Sequence, residues 1–221
     1  MPVIVAIDGP SGAGKSTTSK LVARELGIPH IDTGAMYRAI GLAASRRGIS
    51  YDDGPALESL AASTSIEFRP EDPPHILLDG EDVSHLIRTP EISMAASHVS
   101  AVPAVRRILV KLQQDLGRRT GGVLEGRDIG TKVFPETPHK FFLTALPEVR
   151  AERRHAELLA GGADSDLAIV LAETVQRDRQ DSNRADSPLS FDDTYMVVDT
   201  SDRTITEVVK MIVAAVRESA R

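Results

Sequence analysis

The chain has 221 residues, of which 41% are hydrophobic, enough to bury the core of one globular domain. It carries 26 Lys and Arg against 32 Asp and Glu, a formal net charge of -6, so its overall field would repel a nucleic-acid backbone. Cysteine is absent, which excludes disulfides, thiolate catalysis and cysteine-based zinc sites.

Short apolar segments alternate with helical patterns along the chain. The strand candidates are 3–7, 123–125, 140–145 and 195–200. Apolar residues at helical spacing form one stripe from Val105 to Leu116 and a clearer one from Ile205 to Val216. Because parallel strands need crossover connections, this alternation predicts an α/β fold with a parallel sheet covered by helices on both faces.

Two segments interrupt this alternation. Residues 64–88 read as short strands joined by RPEDPP and by the turn Asp79-Gly80, which predicts an inserted antiparallel lobe. Residues 158–166, LLAGGADSD, carry two adjacent glycines between helical patterns and predict a helix-to-helix linker.

The segment GPSGAGKST follows the first strand and precedes a helical pattern, and it matches the P-loop spacing G-x-x-x-x-G-K-[ST]. Its glycines let successive backbone N–H groups point inward around a phosphate, at the positive end of the next helix. Lys15 would reach the β- and γ-phosphates, and the Ser16 hydroxyl would hold Mg²⁺. We therefore predict a nucleoside triphosphate site formed by Gly9, Pro10, Ser11, Gly12, Ala13, Gly14, Lys15, Ser16 and Thr17.

The P-loop is compatible with three classes of protein: a small-acceptor kinase, a GTP-binding switch and a motor ATPase. The nearest string to the guanine-reading N-K-x-D begins at Asn183, but it has Arg184 in the lysine position and follows a very polar segment. Asp199 ends an apolar segment, as the magnesium-binding Asp of a motor ATPase would. This segment is the last strand candidate, however, and we interpret it as an ordinary final strand.

Clustered arginines favour the kinase, because a kinase whose acceptor is a phosphate needs guanidinium groups for both substrates. The clusters comprise Arg38, Arg127, the helical set Arg150, Arg153 and Arg154, and the set Arg177, Asp181 and Arg184. Two alternatives stay open. The Arg150 set could be a solvated face neutralised by Glu157, and Arg177 with Asp181 could be a surface ion pair.

Several motifs together resemble the bacterial cytidylate kinases, a family of nucleoside monophosphate kinases. They are IDGPSGAGKST, DTGAMYR, GEDVS…IRTPE, AASHVSAVPAVR, EGRDIGTKVFP and RDRQDSNR, in the order of that family and over nearly the full length. The resemblance implies transfer of the γ-phosphoryl group of MgATP to CMP or dCMP. It also implies one P-loop kinase domain over 1–221, with a monophosphate-binding lobe at about 62–100 and a helical lid at about 150–185.

The resemblance also implies roles for individual residues. Cytosine offers one donor and two acceptors, which a carboxylate and a guanidinium complement. By similarity, Asp128, Ser97 and Arg106 form the base pocket, Arg177 and Asp181 hold the ribose, and Thr33, Arg38, Arg127 and Arg184 hold the acceptor phosphate. Lys15, Arg150, Arg153 and Arg154 are the implied catalytic residues, and Ser16 and Asp32 the implied metal ligands.

Two positions depart from the family pattern. Thr33 stands where serine is found in well-known members, but it keeps a hydroxyl that can donate to phosphate. Glu125 stands where aspartate is frequent, so we leave it out of the predicted site.

The expected partners are small nucleotides alone, namely CMP, dCMP and ATP, with Mg²⁺ and with neither nucleic acid nor membrane. No leader sequence and no run of about 18 apolar residues is apparent, so we expect a cytoplasmic protein, and from the resemblance a monomer. The alternative is a P-loop kinase for another monophosphate or a small metabolite.

Overall fold

The computed structural model describes residues 2–69, 75–184 and 186–219. The helices are α1 Lys15–Leu26, α2 Thr33–Arg46, α3 Gly54–Ser63, α4 Pro90–Ser100, α5 Pro103–Thr120, α6 Pro147–Ala160, α7 Leu167–Ser182 and α8 Ile205–Glu218. The strands are β1 Ile4–Asp8, β2 His30–Asp32, β3 Ile66–Arg69, β4 His75–Leu78, β5 Glu81–Asp82, β6 Gly122–Gly126, β7 His139–Thr144 and β8 Met196–Asp199. A 3₁₀ turn lies at Leu86–Arg88 and a π turn at Ile129–Val133.

The larger sheet has five strands in the order β2-β6-β1-β7-β8. Strand β1 pairs in parallel with β7, and β7 pairs in parallel with β8, so the predicted α/β class is confirmed. The four strand candidates correspond to β1, β6, β7 and β8, with each end within one residue of the prediction. Strand β2 was not predicted.

The smaller sheet has the order β3-β4-β5, and both of its strand pairs are antiparallel, as predicted for the inserted lobe. Asp79 and Gly80 turn the chain with φ of 49° and 86°, which is the turn expected there. The Asp79 carboxylate accepts a hydrogen bond of 2.8 Å from the backbone N–H of Ser65. Most of the predicted turn RPEDPP, residues 70–74, lies outside the described residues.

The chain forms two compact units, one of 29–122 with Pro2 and the other of 3–28 together with the residues from 123 onward. Each unit has its own apolar core. In the first, α2, α3, α4 and α5 pack with the small sheet, and in the second, α1 and α8 pack on β1 and β7.

Both predicted apolar stripes face these cores. Val105 and Leu109 of α5 are buried, as are the stripe residues of α8 from Val208 to Val216, although Ile205 is exposed. The glycine pair at Gly161 and Gly162 follows α6 and leads into α7, so the predicted helix-to-helix linker is confirmed for 161–166, while 158–160 belong to α6. Among the described residues, none of the helices has the length and apolarity needed to cross a membrane.

Candidate active site

The P-loop takes the backbone path that its glycines predict. Gly9 has φ of 145°, and a Cβ there would lie 2.0 Å from the carbonyl oxygen of Leu143 on β7. Gly14 has φ of 82° and caps α1, which begins at Lys15. Only glycine fits the close approach at position 9, so this segment leaves the sheet as a tight loop that ends at a helix N-terminus.

Lys15 lies inside this loop. Its ammonium donates a hydrogen bond of 2.6 Å to the carbonyl oxygen of Pro10, and the side chain is buried. Burial and the positive charge of Arg127 hold the pKa of Lys15 well below its usual value, although Glu125 and Asp181 act in the opposite direction. A buried cation of this kind gains from an added anion, because phosphate would replace the solvation that it lacks.

The Ser16 hydroxyl donates a hydrogen bond of 2.8 Å to Oε2 of Glu125, at the end of β6. Glu125 is buried, and sequence reasoning had left it out because its side chain is longer than the aspartate of the family pattern. The signal that could have found it is its position at the end of an apolar strand that precedes Arg127 and Asp128. A hydroxyl and a carboxylate are both oxygen ligands of the kind that Mg²⁺ prefers, so the pair fits that ion.

A metal site formed by protein side chains alone would need a group of ligating residues close together. Within the described ranges, no group of three or more His, Cys, Asp or Glu side chains could hold a metal ion on protein ligands alone. Mg²⁺ is usually held by one or two protein groups and by substrate phosphates.

Arg150 of α6 is almost completely buried and contacts the P-loop backbone. Its guanidinium donates to the carbonyl oxygens of Ala145 at 2.9 Å and Ser11 at 3.1 Å. It also forms a bidentate ion pair with Asp178 of α7, at 2.9 and 2.5 Å. These contacts join Arg150 to the P-loop and to α7, so Arg150 supports the loop.

The other two arginines of α6 differ from Arg150 and from each other. Arg153 donates to the carbonyl oxygens of Gly12 at 3.5 Å and Thr200 at 2.6 Å. Arg154 pairs with Glu157 at 3.4 Å, and its side chain is 43% exposed. The solvated-face alternative therefore describes Arg154, while the catalytic role of the three remains a prediction.

A buried carboxylate joins two of the predicted substrate arginines. Arg127 Nε donates to Asp181 Oδ2 at 2.9 Å, and Arg184 donates to Oδ1 of the same carboxylate. Burial alone would raise the pKa of Asp181, but Arg127 and Arg184 outweigh it and hold the pKa below its usual value. Asp181 is therefore not part of a solvated surface pair, and Arg177 acts on its charge as well.

In the unit of 29–122, Asp32 caps α2 by accepting a hydrogen bond of 3.0 Å from the N–H of Ala35. The same carboxylate pairs with Arg38 at 2.7 Å and with Arg88 at 3.1 Å. Burial opposes its ionisation, but the two arginines outweigh burial and lower the pKa of Asp32 to about 2. Thr33, the first residue of α2, is buried beside it.

Two residues of the predicted base pocket also lie in this unit. Arg106 of α5 is buried, donates to the carbonyl oxygen of Ser100 at 3.2 Å and lies 5.5 Å from the ring centre of Tyr37. Ser97 of α4 is half-buried, and its carbonyl oxygen accepts a hydrogen bond from the Ser100 hydroxyl. Asp128, the third predicted residue, is buried in the other unit directly after β6.

Known proteins resemble this chain over nearly its whole length. A family model described as cytidylate kinase matches residues 5–218. A cytidylate kinase of Geobacter sp. (strain M21) is 48% identical over 217 residues, which cover 98% of this chain and 93% of that protein. A cytidylate kinase of Pelotomaculum thermopropionicum is 48% identical over 219 residues, which cover 98% and 97% of the two chains.

Solved structures support the fold. The protein TT1252 from Thermus thermophilus has a TM-score of 0.51 at 20% identity, with 100% of this chain and 98% of that chain covered. An uncharacterized protein from Eubacterium ventriosum has a TM-score of 0.55 at 12% identity, with 97% and 98% covered. At such identities the likeness shows the fold alone, whereas the family model and the relatives at 48% identity show that the chain belongs to the cytidylate kinase family.

Proposed function

We propose that this protein transfers the γ-phosphoryl group of MgATP to the phosphate of CMP or dCMP, giving ADP and CDP or dCDP, in pyrimidine nucleotide metabolism. The observation that carries the proposal is the buried ammonium of Lys15 inside a P-loop in a chain of this family. The proposed setting is the cytoplasm, and the proposed active form is a monomer.

The donor nucleotide would be held by the P-loop. Its inward N–H groups, the N-terminus of α1 and the Lys15 ammonium supply positive charge to the donor phosphates. Phosphoryl transfer depends mainly on positioning and on neutralising spread charge, and Lys15 can provide both without a covalent intermediate.

Ser16 and Glu125 would hold the magnesium ion, which when bound neutralises phosphate charge. Asp32 remains a predicted metal ligand, but its carboxylate is already paired with Arg38 and Arg88. The contact between Glu125 and the Ser16 hydroxyl favours Glu125 over Asp32 as the second ligand.

The acceptor phosphate would be bound by Arg127 and Arg184, whose guanidinium groups are oriented by Asp181. The second pKa of a phosphate monoester is about 6, so the acceptor oxygen is already anionic near neutral pH and needs no general base. Thr33 and Arg38 for the phosphate, Arg177 and Asp181 for the ribose, and Ser97, Arg106 and Asp128 for the base stay predictions.

The test is an ADP-release assay with MgATP and a panel of acceptors: CMP, dCMP, UMP, AMP, GMP and shikimate. We expect rapid ADP release only with a cytidine nucleotide, because a hydrogen-bonding pocket rejects a base that leaves its polar groups unpaired. ADP release at one rate with and without any acceptor would contradict the proposal. Release with AMP or shikimate alone would favour a different small-acceptor kinase.

A further inference from the structure

A carboxylate outside the predicted site is completely buried at the end of β1. Asp8 accepts three hydrogen bonds: 2.9 Å from the N–H of Ile129, 2.9 Å from the N–H of Gly130 and 2.8 Å from the hydroxyl of Tyr195. An ionised carboxylate can accept all three, because it has only acceptor sites. The arrangement therefore suits the charged form of Asp8, despite its burial.

The two backbone donors directly follow Asp128. They begin the π turn at Ile129–Val133, which is closed by a hydrogen bond of 3.3 Å from the N–H of Val133 to the carbonyl oxygen of Asp128. Asp8 thus fixes the peptide groups next to the predicted cytosine-binding carboxylate. It also immediately precedes Gly9, so one side chain joins the start of the P-loop to the Arg127-Asp128 segment.

The packing around Asp8 leaves little room for another arrangement. A Cβ on Gly130 would lie 2.5 Å from the Tyr195 hydroxyl and 3.0 Å from Cδ of Lys140. The Lys140 ammonium lies 5.8 Å from the centre of the Tyr195 ring. Tyr195 is therefore held between β7 and the π turn, and its hydroxyl cannot move away from Asp8 without disturbing both.

We propose that Asp8 is a positioning residue for acceptor recognition: its ionised carboxylate holds the main chain after Asp128, so that Arg127 and Asp128 are presented correctly to the cytidine nucleotide. This inference rests on the proposed function, since it takes Asp128 to be a base-binding residue. Asp8 itself touches neither substrate.

Protonation of Asp8 would remove this support. One oxygen would become an O–H donor and would face an N–H or O–H donor instead of accepting from it. Burial raises the pKa of Asp8 to about 6, and the negative charge of Asp128 adds to this, while the Gly130 and Ile129 amides and Tyr195 lower it. Lys140 and Asp192 are the other charged groups next to Tyr195.

The effects of pH on stability and on recognition have opposite signs. Because the folded-state pKa is above the usual value of 3.8, this group stabilises the fold most at low pH and that contribution is lost as the pH rises through about 6. The positioning function, in contrast, is complete above pH 6 and is lost below it. A purely structural Asp8 would therefore not give the dependence expected for acceptor recognition.

The test compares Asp8→Asn with the wild type, with KM for CMP and for ATP measured from about pH 5.5 to pH 8. The amide NH₂ faces a donor as protonated Asp8 would, so the variant imitates the protonated state at every pH. We expect its KM for CMP to be roughly tenfold higher at pH 8, with less than about a twofold change for ATP. The ratio of the variant's KM for CMP to the wild-type KM for CMP should fall toward one by pH 5.5. The titration of CMP itself affects both KM values and cancels in that ratio.

Two further variants keep the result interpretable. Tyr195→Phe removes one of the three hydrogen bonds that Asp8 accepts, so the Asp8 carboxylate should become protonated at a higher pH. The rise in KM for CMP on acidification should therefore begin at a higher pH than in the wild type. Asp192→Asn changes an exposed carboxylate near Tyr195 and should leave both KM values unchanged. If Asp8→Asn does not fold, the inference is tested by whether Tyr195→Phe shifts the pH dependence of the KM for CMP.

The inference is overturned if the ratio stays constant with pH, if both KM values rise equally, or if neither variant changes the KM for CMP. Each of these outcomes requires a wild type that uses CMP, so it leaves the proposed function intact. A wild type that ignores CMP would contradict the proposed function instead.

Discussion

The ammonium of Lys15 lies against the carbonyl oxygen of Pro10 rather than in solvent. Its lowered pKa shows that the folded protein does not fully compensate the positive charge, since burial and Arg127 outweigh Glu125 and Asp181. Bound phosphate would supply the missing negative charge. The residue is thus better suited to binding a polyanion than to strengthening the fold.

For Lys15→Ala we expect kcat to fall by roughly 10²–10³, the usual cost of losing one donor that stabilises transition-state charge. The measurement is ADP release at saturating CMP. Lys20→Ala, an exposed position on the same helix, is the matched control and should retain the wild-type rate. Near-normal turnover of Lys15→Ala, with its helix content unchanged, would rule out a catalytic role for the P-loop.

Residue roles were predictable from sequence only where they depend on local geometry. The P-loop is local, because its spacing alone places Gly14 before the helix and Lys15 at its start. The partners of Arg150 were not predictable. They come from Ala145 just after β7, from the P-loop and from α7, so they depend on how distant segments of the chain pack.

At the scale of elements, α6 and α7 act as one support for the P-loop. Arg150 bridges the two helices through Asp178 and reaches the carbonyl oxygen of Ser11, and Arg153 reaches that of Gly12. Helix α7 also carries Asp181, which orients Arg127. The same helix therefore supports groups of the proposed donor and acceptor sites.

For Asp178→Asn we expect the free energy of unfolding to fall by about 1–3 kcal/mol, since the buried guanidinium loses its charged partner. We also expect a higher KM for ATP with little change in KM for CMP, because Arg150 contacts the donor loop. Urea unfolding and initial-rate kinetics measure the two effects. Arg154→Ala, the exposed neighbour, should change stability by less than about 0.5 kcal/mol.

The opposite kinetic result would change the assignment of Arg150. A large fall in kcat with an unchanged KM for ATP would indicate that its guanidinium contacts the transferring group, as the family resemblance implies. No effect on either stability or kinetics would show that the Asp178 contact is dispensable.

Elements were predicted well where the apolar pattern is long and poorly where it is short. The stripe of α8 spans several turns, and its buried positions were correct apart from Ile205 at the first position. Strand β2 has three residues, His30, Ile31 and Asp32, of which only Ile31 is apolar. So short a strand has no period that a sequence can reveal.

At the scale of the whole molecule, stability should depend on pH through Asp32. Its folded-state pKa of about 2 lies below the usual 3.8, so its contribution is present above about pH 4 and is lost as the pH falls toward 2. Asp32→Asn keeps an acceptor for the Ala35 N–H but removes the charge. We expect this variant to be less stable by on the order of 2 kcal/mol at pH 6.

Chemical unfolding of the wild type and Asp32→Asn at a series of pH values checks this expectation. The difference in free energy should narrow as the pH falls below about 4, where the wild-type carboxylate begins to lose its charge. A difference that does not vary with pH would mean that the pairs with Arg38 and Arg88 are not its source.

The order of the chain has a consequence for synthesis on the ribosome. Apart from Pro2, the unit of 29–122 is continuous, whereas β1 and α1 belong to a unit whose other strands begin only at β6. The first segment to emerge therefore cannot pair until later strands such as β7 have been synthesised. Val5 of β1 is in register with His139 of β7. Contacts between such distant segments form slowly. A nascent chain should thus fold its continuous unit first and gain the ability to retain nucleotide only near the end of translation.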